Sequence, residues 1–357
     1  MSHHSRRGIL ARGAGAGVTT YYVAVSATTT PYIHAYPWDD TTGFGTKFAN
    51  PASLPTTYTA GLAFTNSGNA LAVACSNIST TRAISVYQWS TSGFGTLYTN
   101  PTTPLGFDAQ PTYCCAFSPS DDAIVMGAYN APYALAYAWS SSGFGTQYAD
   151  LTIGNSARVY SAAFTPSGNA VAFAHAGTSR IAAFPWSSST GFGTKFANPA
   201  TIPTGSPFDV AFNSAGTAVA FAHNTSPWVS AYPWSSSGFG TKFANPATLP
   251  TGTGRGVAFS PAGTEIAVAH AITPFVSAYA WSSSGFGSKF SNPTTLPAGD
   301  GYGVSFSPTG NAIVITHLNT PFVAAYAWSS SGFGAKYSNP STVPTNANKV
   351  AFGKITA

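Results

Sequence analysis

The stretch Gly256–Pro293, GVAFSPAGTEIAVAHAITPFVSAYAWSSSGFGSKFSNP, decides the fold. Val257-Ala258-Phe259-Ser260 alternates with period two and stops at Pro261-Ala262-Gly263, the pattern of a short strand and a turn. Ile266 to His270 alternates again and ends at Thr273-Pro274. A third strand, Phe275 to Trp281, starts directly after that proline, which a strand tolerates only at its beginning. Ser282-Ser283-Ser284-Gly285 forms the next turn, and Phe286 to Asn292 makes a fourth strand closed by Pro293. Four short strands in under 50 residues is the period of a propeller blade.

The same unit recurs along the chain. Gly-Phe-Gly occurs at Gly43, Gly93, Gly143, Gly191, Gly238, Gly285 and Gly332, in steps of 50, 50, 48, 47, 47 and 47 residues. A Trp stands four or five residues before each: Trp38, Trp89, Trp139, Trp186, Trp234, Trp281 and Trp328. The two ends of the chain complete each other. Val23 to Ser26 matches a second strand and Tyr32 to Trp38 a third, so the chain enters without a first strand. Lys349-Val350-Ala351-Phe352 matches a first strand with no second strand after it. Joining them hides the open sheet edges. The expected architecture is all-β: a seven-bladed β-propeller of four-stranded blades over residues 18–357, with strand 1 of the last blade from the C-terminus and strands 2–4 from the N-terminus.

Composition agrees. Only 6% of the 357 residues are charged, against about 25% in ordinary soluble domains. In the second strand, Val171, Phe173 and His175 share one face and Ala170, Ala172 and Ala174 the other. The large face of one blade therefore nests on the small face of its neighbour, and a strand covered on both sides has no place for charge. No window approaches the roughly 18 apolar residues of a membrane span. Cys75, Cys114 and Cys115 leave an odd thiol, and the adjacent pair points to opposite faces of a strand, so no disulfide framework and no metal site is expected. Of the net charge of +5, three units come from Arg6, Arg7 and Arg12 in a Gly/Ala-rich arm, residues 1–17, that holds no acid. The remainder of the chain is nearly neutral and does not read as a nucleic-acid surface.

The phrase Val257 to Gly263, followed by an alternating strand and an aliphatic strand ending in Tyr279 and Trp281, resembles the WD40 repeat. The resemblance implies a propeller. The Gly-His pair before the first strand and the Asp of the second-to-third turn are absent. The nearly uncharged, Ser/Thr/Gly-rich repeats with the phrase Gly-Phe-Gly-Thr-Lys-Phe-Ala-Asn-Pro (Gly191–Pro199, Gly238–Pro246) are similar to those of propellers encoded by environmental tailed bacteriophages. That likeness implies a virion or tail protein.

Candidate chemistry is sparse. His175, His223, His270 and His317 each end a second strand. Equivalent atoms of neighbouring blades lie too far apart to share a metal at about 2 Å, and the positions coincide with the network Ser of WD40 repeats, near the recurring Trp. They read as structural hydrogen-bond positions. Trp and Phe in every blade read as packing, with repeated sugar sites on the Phe44-type rings as the rival, and Trp228, outside the register, reads as a core substitution. Lys47, Lys195, Lys242, Lys289 and Lys336 share one fourth-strand position, a possible edge for an anionic partner or a guard against edge-to-edge pairing. Asp108, Asp209 and Asp300 precede first strands and form the one acid cluster worth testing for catalysis. Together these residues lead to the expectation of a non-enzymatic structural or attachment component of a phage particle, without cofactor or membrane insertion. It would contact other virion or assembly proteins, or a host receptor or glycan, through Arg6, Arg7 and Arg12. A glycan-binding lectin-like propeller is the alternative.

Overall fold

The computed structural model describes residues 19–76, 83–101, 111–151, 153 and 158–356. They form seven four-stranded antiparallel sheets, each a blade, arranged as a seven-bladed β-propeller. Blade I combines Ala347–Thr356 with Thr19–Ala27, Ile33–Asp39 and Gly43–Phe44, in that order from the centre outward. Val23 faces Phe352 and Val25 faces Val350 across the closing ladder. The expected closure by strands from both ends is therefore the one observed. The inner strands of blades II to VII are Thr59–Phe64, Thr112–Phe117, Val159–Phe164, Pro207–Phe212, Gly254–Phe259 and Gly301–Phe306, and they surround the central channel.

The core lies between blades, not within them. Ala170, Ala172 and Ala174 of blade IV meet Val219, Phe221, Tyr232 and Trp234 of blade V. Val171 and Phe173, on the other face of that strand, meet Ala123, Val125 and Ala134 of blade III. Small and large faces thus interlock around the ring, and the strands are buried on both sides, which accounts for the missing charge. Cys114 and Cys115 likewise enter different inter-blade cores, and all three cysteines are free.

One face of the ring repeats with little variation. Trp281 meets three rings edge-on: Phe286 of its own Gly-Phe-Gly turn, Phe259 of the inner strand and Phe243 of the preceding blade, at centroid distances of 5.1, 5.0 and 5.2 Å. Each of the other six Trp residues has the same three kinds of neighbour. The T-shaped geometry is the favoured one for aromatic pairs. Gly285 holds φ +96°, and a Cβ there would sit 2.9 Å from the Phe243 ring. Glycine is required at this turn on both counts. Buried tyrosines tie five of the blades to the loop entering them: Tyr232 donates to the Thr201 carbonyl at 2.9 Å, and Tyr326 to that of Thr295 at 2.7 Å, as do Tyr36, Tyr87 and Tyr279 in theirs.

Candidate active site at the channel mouth

The opposite face, where second strands end and third strands begin, departs from the repeat. The residue four before the inner-strand Phe is Ala60, Tyr113, Tyr160, Phe208, Arg255 and Tyr302 in blades II to VII, and Asn348 in blade I. With Asn224, Thr253 and Lys349 these side chains line a cavity of 460 Å³ at the channel mouth. Tyr113, Tyr160 and Phe208 form a continuous arc, with ring centroids 5.7 and 5.2 Å apart. Arg255 completes it by lying 4.2 Å from the centre of the Tyr302 ring, a cation–π contact.

One residue deeper the inner strands crowd together. A Cβ at Gly61 would lie 2.7 Å from the Cys114 backbone, and one at Gly256 would lie 2.9 Å from the Tyr302 carbonyl. At this level only Ser161, Asp209 and Lys349 carry polar side chains. Lys349 reaches from blade I across the channel to Asp209 of blade V, with Nζ 3.2 Å from Oδ1, and also donates to the Arg255 carbonyl at 3.1 Å. Asp209 further accepts from the Ser161 hydroxyl at 2.8 Å and the Val257 amide at 3.0 Å. It is a fully engaged carboxylate. A further cavity of 300 Å³ continues down the channel, and Lys349 lines both. The Cys114 thiol at this depth is pushed up to about 12 by burial, so it holds no thiolate at neutral pH.

Asp300 stands at the rim: its Oδ2 binds Arg255 Nη2 at 3.2 Å, and among the described residues its Oδ1 accepts no hydrogen bond. Arg255 Nη1 is buried and has no acceptor among the described residues. On the other side of the mouth Arg158 lies 4.1 Å over the Tyr129 ring and donates to the Tyr160 hydroxyl at 3.2 Å. No carboxylate partners it among the described residues.

Of the three acids singled out in the sequence, Asp209 and Asp300 meet at this mouth through Lys349 and Arg255. Asp209 sits inside an inner strand, not in a turn before it. Asp108 lies outside the described residues, as do Arg6, Arg7 and Arg12. The five lysines direct Nζ to the Asn three residues on, Lys195 to Asn198 at 2.9 Å for example. The four histidines lie on the mouth face, away from the recurring Trp. His223 and His270 pair with Ser230 and Ser277 at 3.0 Å. His175 accepts from the Gly177 amide at 3.1 Å, and neither ring nitrogen of His317 meets the geometry of a hydrogen bond among the described residues. Trp228 is half-buried in a left-handed turn with φ 63°, so it shapes a mouth loop and is not a core substitution. Sequence reasoning missed Arg255 and Lys349, although Arg255 stands where four other blades place an aromatic ring and Lys349 where three place a glycine. No group of three or more His, Cys, Asp or Glu among the described residues is placed to hold a metal, and no helix among them is long and apolar enough to cross a membrane.

No protein-family model and no curated protein matches the sequence. Solved structures do. A propeller from Bacteroides fragilis named as a candidate 6-phosphogluconolactonase superposes with a TM-score of 0.75 at 13% identity, over 93% of this chain and 98% of its own. The periplasmic gluconolactonase of Pseudomonas aeruginosa gives 0.67 at 15% identity, over 93% and 99%. A protein from Lactobacillus plantarum gives 0.73 at 14% identity, over 94% and 99%. Likeness at this identity shows the seven-bladed fold. It also corrects an expectation, because the reading of a non-enzymatic virion component, with a lectin as alternative, is overturned by neighbours that carry lactonase names. The physical reason the sequence misled is visible at the mouth. Acids that recur in no register look scattered along the chain, yet the ring brings two of them beside two cations and a cavity.

Proposed function

We propose that the channel mouth is the active site of a hydrolase that opens carbohydrate lactones. The observation that carries this reading is Arg255, whose Nη2 is fixed by Asp300 while its buried Nη1 points at no acceptor. A buried donor left unmet costs about 1–3 kcal/mol and more when charged, and an acyl oxygen of the substrate supplies the missing partner. Water attacks the acyl carbon, and the free Oδ1 of Asp300 takes its proton. Arg255 stabilises the oxyanion that forms. Collapse breaks the ring C–O bond, and the departing alkoxide recovers the proton from Asp300, giving the open hydroxy acid. The arc of Tyr113, Tyr160 and Phe208 offers flat apolar faces to the C–H side of a sugar ring. The names of the neighbouring propellers support lactones as the substrate class.

Hydrolysis of glucono-δ-lactone and its 6-phosphate, followed in a pH-stat above the spontaneous rate, tests the proposal. Arg255→Met and Asp300→Asn should each lower kcat/KM by roughly 10²-fold or more with little change in melting temperature. No acceleration by the unaltered chain on either lactone would sink it.

A further inference from the structure

The repeated face contains one junction that differs from the rest in a telling way. Between blades VII and I, the carboxylate of Asp40 enters the crevice between blades. Trp38 Nε1 donates to it at 2.7 Å, the Thr309 hydroxyl donates to it, and Asn311 Nδ2 lies 3.5 Å away. The Tyr337 hydroxyl binds the Asp40 carbonyl and closes the crevice from outside. An indole N–H, a hydroxyl and an amide thus converge on one carboxylate, and the chain supplies that carboxylate itself.

The junction between blades IV and V has the same donors and no acid. Trp234, Ser167 and Asn169 stand at the positions of Trp38, Thr309 and Asn311, while Ser236 replaces Asp40 and Phe196 replaces Tyr337. Losing the carboxylate and the phenol hydroxyl leaves a crevice of 210 Å³, lined by these residues and open to solvent. Thr165 donates to Asn169 Oδ1 at 2.9 Å, which turns the amide so that Nδ2 is the end without an acceptor. Trp234 Nε1 has no acceptor among the described residues either. The blade II–III junction carries the same donors, Trp139, Ser67 and Asn69, but Tyr98 closes it by donating to the Ser141 carbonyl at 3.3 Å. The donor set beside a Phe is particular to this place. The turns facing Trp281 and Trp328 carry Ala215 with Thr217 and Ala262 with Thr264, and Tyr98 replaces the Phe at the crevice of Trp139.

We propose that the crevice between blades IV and V binds a carboxylate in the pose that Asp40 takes at the blade VII–I junction. The recognised chemistry is a single carboxylate, either on a small free acid or on an Asp or Glu side chain of another polypeptide. Among the described residues the Trp234 indole N–H and the Asn169 amide are unengaged, and the Ser167 hydroxyl, which donates to Thr165 Oγ1 at 3.3 Å, turns to the ligand as the third donor. No acid competes, and three such donors hold Asp40. Its occupancy is independent of any hydrolysis at the channel mouth.

The test is an indole 15N–1H titration of the intact chain, with Trp38 as internal reference because its crevice is filled. Sodium acetate should move the Trp234 signal saturably and leave Trp38 still, while sodium chloride at equal ionic strength should move neither. Asn169→Ala should weaken the response about tenfold, the worth of one hydrogen bond to a charged group, and Ser167→Ala combined with it should abolish the response. Ser236→Asp should shift Trp234 without added ligand, block acetate and raise the melting temperature. A capped Gly-Asp-Gly peptide separates the two sources. A response to both ligands assigns a site for free acids, and one to the peptide alone assigns a polypeptide side chain. A Trp234 signal that ignores both ligands, or answers them equally in the double variant or in chloride, overturns the proposal.

Discussion

The two faces of the ring are built from the same seven repeats and do opposite things with them. On the Gly-Phe-Gly face, each Trp meets the same three kinds of ring in every blade, and the arrangement serves packing. On the mouth face, the position that faces the cavity runs through Ala60, Tyr113, Tyr160, Phe208, Arg255, Tyr302 and Asn348 without repeating. Where the repeat is kept, the residues hold neighbouring blades together. Where it is broken, side chains of different chemistry from distant stretches of sequence are set against one another at the centre.

The sharpest way to break this contrast is to remove a ring from the uniform face. Trp281 is 6% exposed, and Trp281→Ala should cost roughly 3–5 kcal/mol in denaturant unfolding. The Arg255 and Asp300 variants described above should cost far less. If a Trp281 truncation were tolerated while Arg255→Met unfolded the chain, the division of labour between the faces would be reversed.

Acid tests the mouth face next. Burial lowers His34, His175, His223 and His317 to about 4, and lowers His270 as well. Their folded-state values lie below the unfolded value of about 6.5, so the unfolded chain takes up more protons as pH falls. Stability is therefore full above about pH 6.5 and declines towards pH 4, by up to roughly 1.4 kcal/mol per pH unit for each histidine. Chemical denaturation between pH 7 and 4.5 should show this slope. His317→Gln should reduce it, and an unchanged slope would exclude His317 as a contributor.

The smallest effect belongs to the rim. Lys195 is exposed and, among the described residues, bonded only to Asn198, so Lys195→Gln should change unfolding free energy by less than about 0.5 kcal/mol. Light scattering during refolding would show whether its role is instead to keep the outer edge from pairing with other chains.

Much of the fold was legible in the sequence because it is stated seven times. Turn glycines, strand alternation and the complementary ends each carry local signals, and the ring follows from repeating them. The mouth was harder to see. Asp209, Arg255, Asp300 and Lys349 are far apart in the chain and belong to no common motif; only superposing the repeats places them at neighbouring levels of one channel mouth. The signal was present as exceptions: Asp209 and Lys349 occupy the position filled by Gly61, Gly256 and Gly303 in other blades. The free crevice beside Trp234 was invisible for a related reason, since its meaning depends on Asp40 filling the corresponding place elsewhere.

The closing ladder of blade I has a consequence for the newly made chain. Thr19–Ala27 cannot find its inner partner until Ala347–Thr356 has been synthesised, which at about 5–20 residues per second takes the ribosome roughly 15–65 s. Throughout that interval a sheet edge near the beginning of the chain lies open. Lys349 arrives with the strand that covers it and crosses to Asp209, so synthesis of that one strand seals the edge and completes the mouth in one event. A chain released before that point would lack both, and would expose to its neighbours the kind of unpaired strand on which aggregates grow.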